Sequence, residues 1–190
     1  MIRGALPVIV ALASIAGTEA TAASFTLDET ARRVAVSVGE RSTLLEGFDR
    51  EWQVTGEAGT SLTVLTPFHR LAVAARHAAF RNDPLKATEI DRVLKQDAQR
   101  LVVRVVLRGP AEDFARHYVP RLVDGPREIK ASFVQNERTA TRQEDGTYVA
   151  RCLYGFPVRD VDARGRLALV VADADGRDVR RFTIDLSTMR

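Results

Sequence analysis

Three histidines, one cysteine and a few clustered carboxylates are the residues of this chain whose chemistry reaches beyond packing. His69 and His77 lie in one stretch of helical spacing, eight residues apart. That separation is two turns plus about 80°, so a single metal ion does not bridge them. His117 is distant in sequence, and Arg70 and Arg76 stand beside the first two and repel a cation. Asp173, Asp175 and Asp178 offer hard oxygen ligands of the kind calcium takes. A calcium loop of the helix–loop–helix type needs glycine sixth and glutamate twelfth. Counted from Asp173 those places hold Asp178 and Ile184. Counted from Asp160 they hold Gly165 and Val171, with Arg164 in a ligand position. Both stretches read as solvated turns, and no metal or cofactor is expected.

Cys152 is the only cysteine, so the fold closes without an internal disulfide. A reactive thiolate wants a helix N-terminus or a nearby base. Cys152 sits in a strand-like run and reads as a small buried hydrophobe. No Gly-x-Ser-x-Gly elbow, phosphate loop or His-Glu-x-x-His occurs. A hydrolase would have to assemble its acid–base groups from His69, His77, His117, Glu137 and Cys152, between a helical segment and a sheet. A different chemistry is suggested by the strand-like run Tyr148, Ala150, Cys152, Tyr154 and Phe156. With Asp145-Gly146 as a two-residue turn, its partners are Gln143, Thr141, Thr139, Glu137 and Gln135. Aromatic planes beside amides and a carboxylate suit sugars and peptides. Tyr148, Tyr154, Glu137, Gln135 and Gln143 are therefore the candidate binding residues.

The elements that must position these groups read as mostly β. Phe25–Leu27, Val34–Val38, Trp52–Val54 and Leu62–Val64 alternate in period two, with glycines at turn spacing. Thr66-Pro67 is a helix start, and Phe68, Leu71, Ala72, Ala75, Ala78 and Ala79 follow on one face. Asn82-Asp83-Pro84 ends that helix, and a capping pattern at Thr88–Asp91 opens a second. In the next strand Leu101, Val103, Val105 and Leu107 face one way, and Arg100, Val102, Arg104, Val106 and Arg108 the other. Residues 110–126 read as a long loop with a helical turn. Strands over 129–144 and 147–158 form the first hairpin. Leu167–Val171, apolar on both faces, turns through Asp173–Gly176 into a returning strand with Phe182, Ile184 and Leu186 inward.

The reading is one antiparallel β-sandwich over 23–190, with a helical insertion near 67–97. The last hairpin resembles the terminal pair of immunoglobulin-like bacterial domains, a likeness of about thirty residues resting on alternation. The start of the chain reads as an export leader over 1–22. It has a basic Met1-Ile2-Arg3, an apolar run from Ala5 to Ala16, and the small-x-small Ala20-Thr21-Ala22. The apolar run is well short of the ~20 residues of a membrane anchor. A periplasmic or secreted protein without a transmembrane anchor follows. The net charge is only +3, and the arginines are scattered among acids rather than gathered in a run, so nucleic acid is not expected as a partner. The function expected is a non-enzymatic exported domain that binds an envelope protein or a glycan. A small secreted or periplasmic hydrolase is the alternative.

Overall fold

The computed structural model describes residues 23–190. The expected leader over 1–22 lies outside the described residues. Two antiparallel sheets face each other across one apolar core, and three helices pack beside them. No helix among the described residues is long and apolar enough to cross a membrane.

The first sheet contains β1 (Gln53–Thr55), β2 (Ser61–Leu65), β3 (Arg100–Gly109), β8 (Tyr148–Pro157) and β6 (Phe133–Gln135) in that order, with β7 (Thr141–Arg142) also on β8. The second is β10 (Asp178–Asp185), β9 (Arg166–Ala172), β4 (Val119–Asp124) and β5 (Arg127–Lys130). The alternation of β3 decides which way the first sheet faces. Leu101, Val103, Val105 and Leu107 are buried, level with Phe156, Tyr154, Cys152 and Ala150 of β8. Leu122, Leu167, Leu169, Val171, Phe182 and Ile184 of the second sheet complete the same core. β9 is buried on both faces, as its unbroken apolar run requires of a strand with neighbours on either side.

Several expected elements differ. Val34–Val38 is not a strand but part of helix α1 (Glu29–Arg41). Asp28 caps that helix, accepting from the Ala31 N–H at 2.7 Å. Its buried face is Ala35 and Gly39, four residues apart, and the valines fall around that narrow stripe. The stripe packs on α2 (Pro67–Phe80), where a Cβ on Gly39 would lie 2.1 Å from the Ala72 carbonyl oxygen. The contact needs bare backbone, and that tertiary demand overrides a period-two pattern. Phe25 and Leu27 are not in a strand either. They pack on the core while the Ala23 N–H donates to Leu186. α2 starts at its Thr66 cap as the sequence implies, and α3 (Ala87–Lys95) follows, with Glu89 accepting from the Lys86 N–H at 2.9 Å.

The stretch 110–126 holds β4 rather than only a loop. Pro120 is tolerated because β5 pairs β4 only from Arg121 onward, so the missing N–H has no ladder partner on that side. The expected strand over 129–144 breaks into β5, β6 and β7. Its hairpin closes at Gln143 and Thr147 around three residues, Glu144-Asp145-Gly146, not two. The Asp145 carboxylate accepts from both the Thr147 N–H and hydroxyl, and Gly146 takes a φ of 81°.

Helix propensity alone would make Gly39→Ala stabilising by about 1 kcal/mol. The contact with Ala72 reverses the sign. A loss on the order of 1–3 kcal/mol, read as a lower Tm in thermal unfolding, is expected.

Candidate functional site

The inward rows of the first sheet dictate its outward face. Register places Gln53 and Thr55 (β1), Ser61, Thr63 and Leu65 (β2), and Phe133 and Gln135 (β6) on that side. β3 contributes Arg100, Val102, Arg104, Val106 and Arg108, and β8 contributes Arg151, Leu153 and Gly155. No outward strand position among the described residues carries an aspartate or glutamate. Four arginines therefore share one acid-free face. Along β3 they recur every fourth residue, about 13 Å apart at strand rise. Arg151 lies level with Val106, between Arg104 and Arg108.

Loops supply the acids that brace the two ends of the row. Asp97 lies 3.6 Å from Arg100, and Asp145 lies 3.0 Å from Arg108, which also donates to the Thr147 hydroxyl. Arg104 and Arg151 are exposed and have no ion-paired partner among the described residues. Gly155 makes room for Arg100 to cross the sheet: a Cβ there would meet the Arg100 Cδ and the Phe133 Cβ at 3.2 Å. The Arg100 guanidinium carbon then sits 5.9 Å from the Phe133 ring centre. The face runs at Arg100 into a cavity of about 720 Å³ between the end of α3 and the ends of β3 and β8. Lys95, Asp97, Gln99, Arg100, Ser132 and Arg159 line its polar side, with no histidine or cysteine. Guanidiniums fixed on strands, flanked by hydroxyls and amides, present donors to carboxylate, sulfate or phosphate groups.

Of the five residues singled out by sequence, Gln135 stands on this face, level with Leu153. The others do not join it. Tyr154 points into the core at 0% exposure, and its hydroxyl donates to the Asn136 Oδ1 at 3.0 Å. Tyr148 is half-buried against the same core. The expected pairs Tyr154–Glu137 and Tyr148–Gln143 are not formed. Tyr154 lies opposite Val134, and Tyr148 opposite Arg142. The three-residue turn and the break between β6 and β7 shift the register. That break leaves the Arg151 N–H without a strand partner, and the Glu137 carboxylate accepts from it. Gln143 closes the turn, its side chain donating to the Thr141 carbonyl. The Asp173 turn is likewise organised from within. The Asp173 carboxylate accepts from the Asp175 and Arg177 N–H groups and pairs with the Arg177 guanidinium.

The acid–base pool is dispersed. His77 and His117 are exposed and separate, and Cys152 is buried, its thiol pushed up by desolvation. Only His69 meets a carboxylate, its Nε2 3.0 Å from the Asp49 Oδ1. It sits in the first turn of α2 against the Trp52 and Phe48 rings, 3% exposed. Trp52 and Thr66 in turn both donate to the Arg190 carbonyl, and Arg190 pairs with Glu51. Burial lowers the His69 pKa, with Asp49 opposing and Arg104 adding to the fall. The neutral ring donates from Nε2 to Asp49, leaving Nδ1 buried and without a partner among the described residues. This nitrogen is closed off from a substrate.

The arginine row was legible only in part. The sequence shows that Arg100, Arg104 and Arg108 share a side, but Arg151 joins them through pairing alone.

No family model matches the chain, and no curated protein matches it significantly. Among solved structures, a crystal structure of a protein of unknown function from Burkholderia pseudomallei aligns over 85% of this chain and 91% of its own, at 10% identity and a TM-score of 0.43. A likeness that loose bears on neither fold nor function.

Two outcomes follow. The unfolded His69 ring titrates near 6.5, and the folded ring below it. In between, the unfolded chain binds more protons, so the His69 contribution is full above about pH 6.5 and is lost as pH falls. The urea midpoint should drop between pH 7.5 and 5.0, with a shallower drop in His69→Gln. Iodoacetamide should label Cys152 in denaturant and spare it in the native protein.

Proposed function

We propose that this chain is an exported, non-enzymatic binding domain whose outward sheet face holds an acidic partner of the envelope or extracellular space. One observation carries the reading: four arginines on a strand face with no acid among its outward positions, two of them unpaired. Ser61 and Thr63 on β2 and Gln135 on β6 flank the arginines on either side, with Val102, Val106 and Leu153 between them. Hydroxyls and amides of this kind meet sugar hydroxyls, so an acidic glycan is the form we favour. The lack of an aromatic ladder beyond Phe133 argues against stacked bases. Export rests on the basic start, the apolar dozen and Ala20-Thr21-Ala22. An immunoglobulin-like relation rests only on the alternation of β9 and β10.

The second reading, a hydrolase, has one observation in its favour, the His69–Asp49 pair at 3.0 Å. It lacks an accessible ring nitrogen and a neighbouring nucleophile.

Heparin, a sulfated glycan, serves as the test ligand. The protein should be retained and released by salt. Arg104→Glu/Arg151→Glu should bind about tenfold more weakly, a loss near 1.4 kcal/mol, with unchanged thermal stability. Retention on polyglutamate but not on heparin would move the partner to an acidic protein segment. Equal retention of the wild type and the double variant would remove the arginine face from the account.

A further inference from the structure

The chain leaves α3 and enters β3 through a tight turn, and the cavity of about 720 Å³ opens beside it. Asp97 takes a left-handed φ of 55° in that turn, which aspartate tolerates. Backbone pairs fix both sides. The Arg100 N–H donates to the Asp97 carbonyl at 2.9 Å, and the Val158 N–H to the Gln99 carbonyl at 3.1 Å. A cleft of this size admits a small molecule.

Three cations line the cleft with their donors unspent. Lys95 stands in the last turn of α3, Arg100 opens β3, and Arg159 follows β8. Their side chains make no hydrogen bond among the described residues. Two acids are near. Asp97 lies 3.6 Å from Arg100 and 3.9 Å from Arg70, and Asp160 lies 3.7 Å from Arg159. Contacts of that length are ion pairs without a hydrogen bond. Lys95, Arg100, Arg159 and Arg70 against Asp97 and Asp160 leave two positive charges in excess. Carbonyls at the end of α3, which would repel an anion, are taken. Val93 accepts from the Arg70 Nη2 at 2.6 Å, Arg92 from the Gln96 N–H and Lys95 from the Ala98 N–H. Pro157 and Val158 give the cleft an apolar wall, and Gln99 and Ser132 add an amide and a hydroxyl.

We propose that this cleft is the anchoring subsite of the arginine face and holds one sulfated or carboxylated sugar unit of an acidic glycan. The inference rests on the glycan reading of that face. Arg100 belongs to both, lining the cleft and opening the outward row. Arg104 stands about 13 Å further along β3, so a glycan anchored in the cleft runs on to Arg104 and Arg151. In the cleft the anionic group meets the three cations, and the ring lies against Pro157 and Val158.

The test is calorimetric titration with a heparin disaccharide, short enough to fill the cleft without spanning to Arg104, beside salt elution from heparin. Lys95→Glu/Arg159→Glu should weaken the disaccharide about tenfold, more than Arg104→Glu/Arg151→Glu does. Its Tm should be unchanged, because both side chains are exposed. Three results overturn the proposal. One is no binding of the disaccharide. Another is a loss in Lys95→Glu/Arg159→Glu no greater than in the other double variant. The third is full displacement by inorganic sulfate at equal concentration, which makes the cleft a site for a free oxyanion. Failure of the face itself reads out separately, as equal elution of the wild type and Arg104→Glu/Arg151→Glu from heparin.

Discussion

Burial of Leu101, Val103, Val105 and Leu107 is the constraint from which the rest follows. β3 lies between β2 and β8, and its ladder with β8 spans ten residue pairs. Side chains alternate strictly in a strand, so fixing one row inward fixes the other outward. A slip of one residue would carry Arg100, Arg104 and Arg108 into an apolar core, where unpaired charge is very costly. The same free energy that closes the sandwich therefore sets the arginines out in water. The candidate binding face is a by-product of core packing, held at fixed spacing by a hydrogen-bonded scaffold.

The helical side is built on a different contact. Gly39 lets α1 approach α2 until helix backbones nearly touch, and Ala72 and Ala75 receive it. Small residues do here what large apolar ones do between the sheets. Fastening at the base of α2 is polar. Thr66 accepts from the His69 N–H while its hydroxyl donates to the Arg190 carbonyl, which also takes the Trp52 indole N–H at 2.7 Å. The Arg190 guanidinium pairs with Glu51 and lies 5.1 Å from the Phe68 ring centre. His69 belongs to this knot. Its pairing with Asp49 reads as part of a structural joint, since the ring is closed off by Trp52 and Phe48.

The arginines of the first sheet stand on strands, with loop acids Asp97 and Asp145 holding the ends of the row and the centre free.

Local sequence settled what local physics controls. The cap at Thr66, the proline start of α2, the β3 alternation and the doubly buried β9 all appear in the structure where their residues placed them. Each depends on neighbours within a few positions or on burial of a single face. Val34–Val38 went the other way, because alternating valines look the same whether or not Gly39 meets Ala72. The 129–144 strand broke because a three-residue turn and the gap filled by Glu137 cannot be told from an unbroken ladder without the partner strand. That break brought Gln135 level with Leu153, whereas Tyr154 is a core residue because β8 pairs it with the inward Val103 of β3. Arg100, Arg104 and Arg108 were aligned by the sequence itself. Arg151 joined them only through pairing between distant segments, since which residues become neighbours across a sheet is decided by the whole core.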